Sequence, residues 1–134
     1  MTLVDTNVLI DVLSDDPTWF EWSAASLEWR GHFGSMFINE IVFAELSVQM
    51  VSAAELEQAL GELNVKLART PTQALFLAGK AFDRYRAAGG IRTGVLPDFF
   101  IGAHAEITQW PILTRDVARY RTYFPQVELI APNG

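Results

Sequence analysis

Short unbroken apolar runs alternate along this chain with longer stretches in which apolar residues recur every three or four positions. The first run, Met1 to Val4, predicts a strand, and Thr6 to Leu13 predicts a helix with Leu9, Val12 and Leu13 on one side. Asp15-Asp16-Pro17 stops that helix and starts the next, about Thr18 to Trp29, with the proline at a first helical position. Gly31 and Gly34 end it, and Ser35 to Ile38 reads as a short buried strand. Asn39 caps a helix carrying Val42, Phe43, Leu46 and Met50 at helical spacing. Ser52-x-x-Glu55 is a capping box that opens another helix, with Leu56, Leu60 and Leu63 inward.

Val65 to Ala68 is the next strand. Thr72 opens a long helix with Leu75, Ala78, Phe82 and Tyr85 on one stripe, closed by Gly89-Gly90. Pro97-Asp98 starts a helix that buries Ile101, Ala105 and Ile107, and strands at Pro111 to Thr114 and Val127 to Ala131 flank a short helix. Strands separated by connections too long for hairpins predict an α/β sandwich, a mainly parallel central sheet flanked by helices. Ligands of such sheets bind beyond the carboxyl ends of the strands.

Two acids stand at such ends. Asp5 follows the first strand and precedes Thr6-Asn7, while Asp116 follows Ile112-Leu113-Thr114-Arg115. Two further acids lie in apolar surroundings: Glu45 in Phe43-Ala44-Glu45-Leu46, and Asp98 between Leu96-Pro97 and Phe99-Phe100-Ile101. Each has an ordinary explanation, Asp98 as a helix-start acid and Glu45 as a solvated residue. Gathered together, four carboxylates repel one another, and a hard divalent cation such as Mg²⁺ or Mn²⁺ relieves that repulsion. Thr6, Asn7 and Thr114 then serve as donors that orient the carboxylates. His32 and His104 are isolated, His104 reading as a packed or exposed helix residue, and no glycine-rich phosphate loop occurs.

Composition narrows the chemistry. The 134 residues fit one domain, 1–134, and half of them are apolar, so a folded core is expected. There is no cysteine, which excludes disulfides, thiolate zinc sites and cysteine nucleophiles and points to a cytoplasmic setting. No run approaches the roughly 20 apolar residues of a membrane helix, and a signal peptide's opening pattern is missing. The net charge of −6 is unevenly spread. Residues 1–64 hold eleven acids against one base, Arg30 (−10), and residues 65–134 hold five acids against nine bases (+4). Six of those bases are Arg84, Arg86, Arg92, Arg115, Arg119 and Arg121, and arginine matches phosphate geometry; of these, Arg84, Arg86, Arg92 and Arg115 are the candidates for contacting a nucleic-acid backbone.

Asp5-Thr6-Asn7-Val8-Leu9-Ile10-Asp11, Ala44-Glu45-Leu46, Asp98-Phe99-Phe100-Ile101-Gly102-Ala103 and Thr114-Arg115-Asp116 together resemble the four acidic motifs of PIN-domain nucleases. The resemblance runs from residue 2 to about residue 131, and length and layout are most similar to VapC-type toxins of bacterial toxin–antitoxin pairs. It implies a PIN-like three-layer sandwich and metal-assisted hydrolysis of RNA. Position by position, it implies Asp5, Glu45, Asp98 and Asp116 as catalytic acids and metal ligands, Asp5 and Asp98 the most direct. It also implies a homodimer and a cognate VapB-type antitoxin, for which the acidic first half with Trp19, Phe20, Trp22 and Trp29 suits a basic partner.

Within that resemblance, Glu45 is preferred to Glu40, which stands at its helix start without the Ala-Glu-Leu setting. Asp11 is expected to be an exposed acid, and Gly102, where alanine is usual, a harmless departure. Three rivals remain. An aspartyl-phosphate phosphatase wants an acid where Asn7 stands, a phospho-receiver domain wants a lysine near the last strands, and a non-catalytic PIN-like interaction module would have lost some of the four acids.

Overall fold

The first apolar run becomes β1 (Thr2–Val4), buried along its whole length, and a strand buried on both faces belongs at the centre of a parallel sheet. In the computed structural model, which describes residues 1–92 and 94–132, β1 lies there. It pairs with β2 (Met36–Ile38) on one side and β4 (Ile112–Leu113) on the other. β3 (Val65–Leu67) extends the sheet beyond β2, and β5 (Leu129–Ile130) extends it beyond β4. The order is β3-β2-β1-β4-β5, and every pairing is parallel. The strands are shorter than their apolar runs because the flanking residues leave the ladder for the loops.

Two helices fill each of the first three crossovers: α1 (Thr6–Leu13) with α2 (Phe20–Gly31), α3 (Glu40–Ser47) with α4 (Ala53–Glu62), and α5 (Thr72–Ala87) with α6 (Leu96–Thr108). The last crossover holds α7 (Ala118–Tyr123). Parallel crossovers are right-handed, which sets α1 to α4 over one face and α5 to α7 over the other. Most helix contacts follow the same division, α1 touching α2 and α3, and α6 touching α5 and α7, while α3 also meets α6. The chain leaves β1 toward β2 on one side and reaches β4 on the other, so the strand order reverses between β1 and β4, the place where sheets of this kind bind ligands.

Local signals place the helices well. Asn39 Oδ1 accepts from the N–H groups of Ile41 and Val42 at 3.1 Å, and Ser52 Oγ accepts from Glu55 at 3.1 Å. The helix expected from Thr18 begins two residues later, at Phe20: Asp16 Oδ1 takes the N–H groups of Thr18 and Trp19, so these form a turn before α2. Gly89 ends α5 with φ of 95°, a conformation open to glycine at little cost.

The core is built from β1, β2 and β4 with Val8, Leu9, Val42, Leu46, Leu56, Leu60, Phe99 and Ile101, each large aliphatic side chain contributing about 1.5–3 kcal/mol by its burial. Several expected inward positions turn outward. Leu75 is exposed because α5 buries Ala74, Ala78 and Ala81, a stripe of small residues that lets α6 approach closely. Ile107, near the end of α6, is also exposed, and Val12, Leu13 and Leu63 are half-buried. Of the aromatics around α2, Trp19, Phe20 and Trp22 are half-buried, whereas Trp29 is exposed against Phe33, with Arg30 near both rings.

Candidate active site

Asp5 leaves β1 and caps α1, its Oδ1 accepting the Thr6 N–H at 2.7 Å. Oδ2 accepts from the Tyr120 hydroxyl at 2.7 Å, the Thr114 hydroxyl at 2.8 Å and the Asn7 amide at 3.3 Å. The carboxylate is almost wholly buried. Desolvation raises its pKa to about 6; Tyr120, Thr114 and Thr6 pull it down, and the Asp98 charge adds to the rise. Burial and a like charge outweigh the donors here.

Thr114 continues β4 past its end, and its hydroxyl also accepts from the Asp116 N–H at 3.1 Å, which folds residues 114–116 into a turn. The Asn7 side chain joins this turn to α1, donating to Thr114 at 3.3 Å and accepting the Arg115 N–H at 3.2 Å. The Thr6 hydroxyl donates to Glu45 Oε1 at 2.6 Å, drawing α3 to the same edge of the sheet. Thr6, Asn7 and Thr114 thus each hold a carboxylate.

Asp98 stands in the first turn of α6, third in the helix, while the cap position is Val95 with no capping side chain. Arg119 on α7 meets Asp98 Oδ2 through Nη1 at 3.2 Å. Desolvation raises the Asp98 pKa; Arg119 opposes that rise, and the charges of Asp116 and Glu45 add to it. Asp116 itself is exposed. Asp116 and Glu45 thus act on Asp98, and Asp98 in turn on Asp5.

Arg115 is engaged within the chain. Its Nε and Nη2 grip the Asp11 carboxylate at 2.8 and 2.9 Å, and its guanidinium lies 5.3 Å from the Trp19 ring. Asp11, expected to be exposed, is fully buried and accepts a third bond from Ser23 at 2.7 Å. The reason is periodic: Asp11 is one helical turn after Asn7, so both point at the loop after β4. Arg84, Arg86 and Arg92 are exposed.

Tyr120 was not legible as part of the site, although a buried tyrosine hydroxyl requires a partner. Burial, then the charges of Asp5 and Asp98, push its pKa well above the usual tyrosine value, so it stays a donor. Glu40 is occupied elsewhere. Its carboxylate accepts from the Thr70 N–H at 2.8 Å and from the Thr70 hydroxyl, and these bonds, with Arg69 nearby, hold its pKa low against desolvation. His104 is buried against the Asn39 amide at 3.3 Å, and desolvation lowers its pKa.

The donor set suits a hard cation: carboxylate oxygens, two of them on groups whose ionisation burial opposes. As the side chains stand, no three acidic or histidine side chains among the described residues gather closely enough to hold an ion. A divalent cation must compete with Thr6 for Glu45 and with Arg119 for Asp98.

A family model described as PIN domain matches residues 2–125. The chain belongs to the PIN domain family. Comparison with curated proteins gives no match. Among solved structures, the PIN fold seen here is similar to chains of VapBC2 from Rickettsia felis bound to a promoter DNA fragment (TM-score 0.73, 17% identity, covering 98% of each chain). It is also similar to DNA-bound VapBC from Salmonella typhimurium (TM-score 0.70, 17% identity, covering 97% of this chain and 96% of that one). A toxin–antitoxin complex from Klebsiella pneumoniae aligns with TM-score 0.70 at 19% identity, over 99% of this chain and 98% of that one. At such identities the likeness establishes the fold, an all-parallel PIN sandwich. No helix among the described residues is long and apolar enough to cross a membrane.

Proposed function

We propose that this PIN domain is a cytoplasmic metal-dependent ribonuclease, the toxin of a VapBC-type toxin–antitoxin pair. The observation that carries the reading is the network past the ends of β1 and β4, where Tyr120, Thr114 and Asn7 converge on the buried Asp5 carboxylate and Thr6 reaches Glu45 on α3. Packing alone gives no reason to set four carboxylates at one sheet edge, since their mutual repulsion opposes folding.

Asp5, Glu45, Asp98 and Asp116 would hold Mg²⁺ or Mn²⁺. When bound, the ion supplies positive charge that acidifies an attacking water and offsets charge gathering on the phosphate. The chain's own contribution is orientation. Tyr120, Thr114 and Asn7 fix Asp5, Thr6 fixes Glu45, and the turn closed by Thr114 would orient Asp116. RNA approaches over the arginine-bearing second half, with Arg84, Arg86 and Arg92 exposed to meet phosphates.

The related folds come from complexes, which supports an antitoxin as partner, and the acidic first half suits a basic one. A homodimer belongs to the same reading. One observation favours the rival, a non-catalytic interaction module: Asp98 and Glu45 already have partners within the chain. Incubating bulk RNA with Mg²⁺ or Mn²⁺ decides between them. Cleavage by the wild type that is lost in Asp5→Ala and Asp98→Asn supports the nuclease; cleavage surviving both substitutions, or no cleavage at all by the wild type, removes it.

A further inference from the structure

We infer that Arg119 is the residue that receives the RNA phosphate at this edge of the sheet, an inference that rests on the nuclease reading. Phosphate entering a field of four carboxylates is repelled, and a positive group must stand among them. Among the described residues, one salt bridge reaches any of the four acids, that of Arg119 to Asp98. Arg115, one of the arginines the sequence offers for contacting phosphate, has the Nε and Nη2 side of its fork committed to Asp11.

Arg119 is held from two sides. Nη1 meets Asp98, and the guanidinium carbon lies 5.4 Å from the centre of the Tyr85 ring. Tyr85 is itself pinned: its hydroxyl accepts the Arg92 N–H at 3.2 Å, and its ring lies where a Cβ on Gly90 would come within 2.5 Å. That contact makes Gly90 a packing requirement for the ring beneath the guanidinium. Among the described residues the bond to Asp98 is the one side-chain hydrogen bond Arg119 makes, and the side chain is 21% exposed. A guanidinium has five N–H donors, so most of its fork remains for a phosphate while Asp98 holds one corner. Preorganised in this way, the cation loses little freedom when RNA binds.

The test is binding of a fluorescent single-stranded RNA in EDTA, read by anisotropy, so that neither metal nor turnover enters. Arg119→Ala is compared with wild type and with Lys66→Ala, an exposed cation on β3 away from the site. Arg119→Ala should weaken binding about tenfold or more and flatten the log–log salt dependence by about 0.7. Arg119→Lys should recover part of the loss, because a point charge cannot bridge Asp98 and phosphate as a fork does. Mn²⁺ titration separates a merely structural role. A residue that only neutralises Asp98 changes Mn²⁺ affinity while RNA affinity stays within twofold of Lys66→Ala, and that result overturns the proposal alone. Should Arg119→Ala misfold by circular dichroism, Arg119→Lys carries the comparison, and RNA affinity equal to wild type overturns it. Wild-type protein that binds no RNA overturns this inference together with RNA as the substrate, whereas intact RNA binding without metal-dependent cleavage removes the nuclease reading alone.

Discussion

Arg115 and Asp11 form a two-pronged ion pair, at 2.8 and 2.9 Å, between the loop after β4 and the middle of α1, with Asp11 wholly buried. Ser23 ties α2 to the same carboxylate, so one acid fastens three segments. The Asp11 hydrogen bond is the main cause that raises the Arg115 pKa. The pair sits one residue from both Thr114 and Asp116, and it fixes the turn on which the candidate site depends.

Asp11→Ala should therefore destabilise the protein by on the order of 3 kcal/mol, since it leaves a partly buried cation and the Ser23 hydroxyl without their partner. Urea unfolding measures this. A double-mutant cycle with Arg115→Ala should return a coupling above about 0.5 kcal/mol; a smaller value would mean the two side chains act independently.

Gly102, expected to be a harmless departure, has no spare room. A Cβ there would lie 2.3 Å from the Phe124 ring, which is buried. Gly102→Ala should cost about 1–3 kcal/mol through overpacking, and Phe124→Leu in the same chain should recover part of it. Thermal unfolding of the single and double variants tests this, and an unchanged midpoint for Gly102→Ala contradicts it.

Glu40 and Glu45 separate by task. Glu40→Gln weakens the tether to Thr70 and should lower stability by about 1 kcal/mol, with Mn²⁺ affinity unchanged. Glu45→Gln should weaken Mn²⁺ binding at least tenfold while leaving the unfolding midpoint nearly in place. Calorimetric Mn²⁺ titration of both variants is the check, and equal effects would refute the division.

Asp5 gives the stability of the metal-free protein a definite pH slope. Its folded pKa of about 6 lies above the ordinary 3.8, so the native state holds a proton that the unfolded chain releases. Stability from this group is full below about pH 4 and is lost as pH rises through 6, on the order of 3 kcal/mol. Asp98 is shifted in the same direction. In chelator, the unfolding midpoint should fall between about pH 4 and pH 6. Mn²⁺ should raise it more at pH 7.5 than at pH 5, because ligands must lose their protons to bind. A midpoint independent of pH in chelator would sink this account.

Large apolar side chains stand exposed, among them Val48, Val51, Leu67 and Phe76, and the proposed homodimer would cover some of this surface. Sedimentation at micromolar concentration should give twice the 15.0 kDa chain mass. An ideal monomer speaks against the dimer.

Periodicity and punctuation alone determined the elements of this protein. Unbroken apolar runs gave the sheet's strands, the Asn39 and Ser52 caps placed α3 and α4, and acids at strand exits marked Asp5 and Asp116. These signals are local, carried by residues within a turn of one another, and a linear reading captures them. Tertiary structure decided which side chains meet. Nothing near Tyr120 announces that its hydroxyl lands on Asp5, and nothing near Asp11 announces Arg115, 104 positions away. The same acid-in-an-apolar-helix pattern that singled out Glu45 describes Asp11 as well. What separates them is the partner brought across the sheet: a guanidinium grips Asp11, while among the described residues Glu45 receives only the Thr6 hydroxyl. Burial and charge compensation depend on the whole packed molecule, so only the folded chain could assign one acid to holding the structure and set the other beside the candidate site.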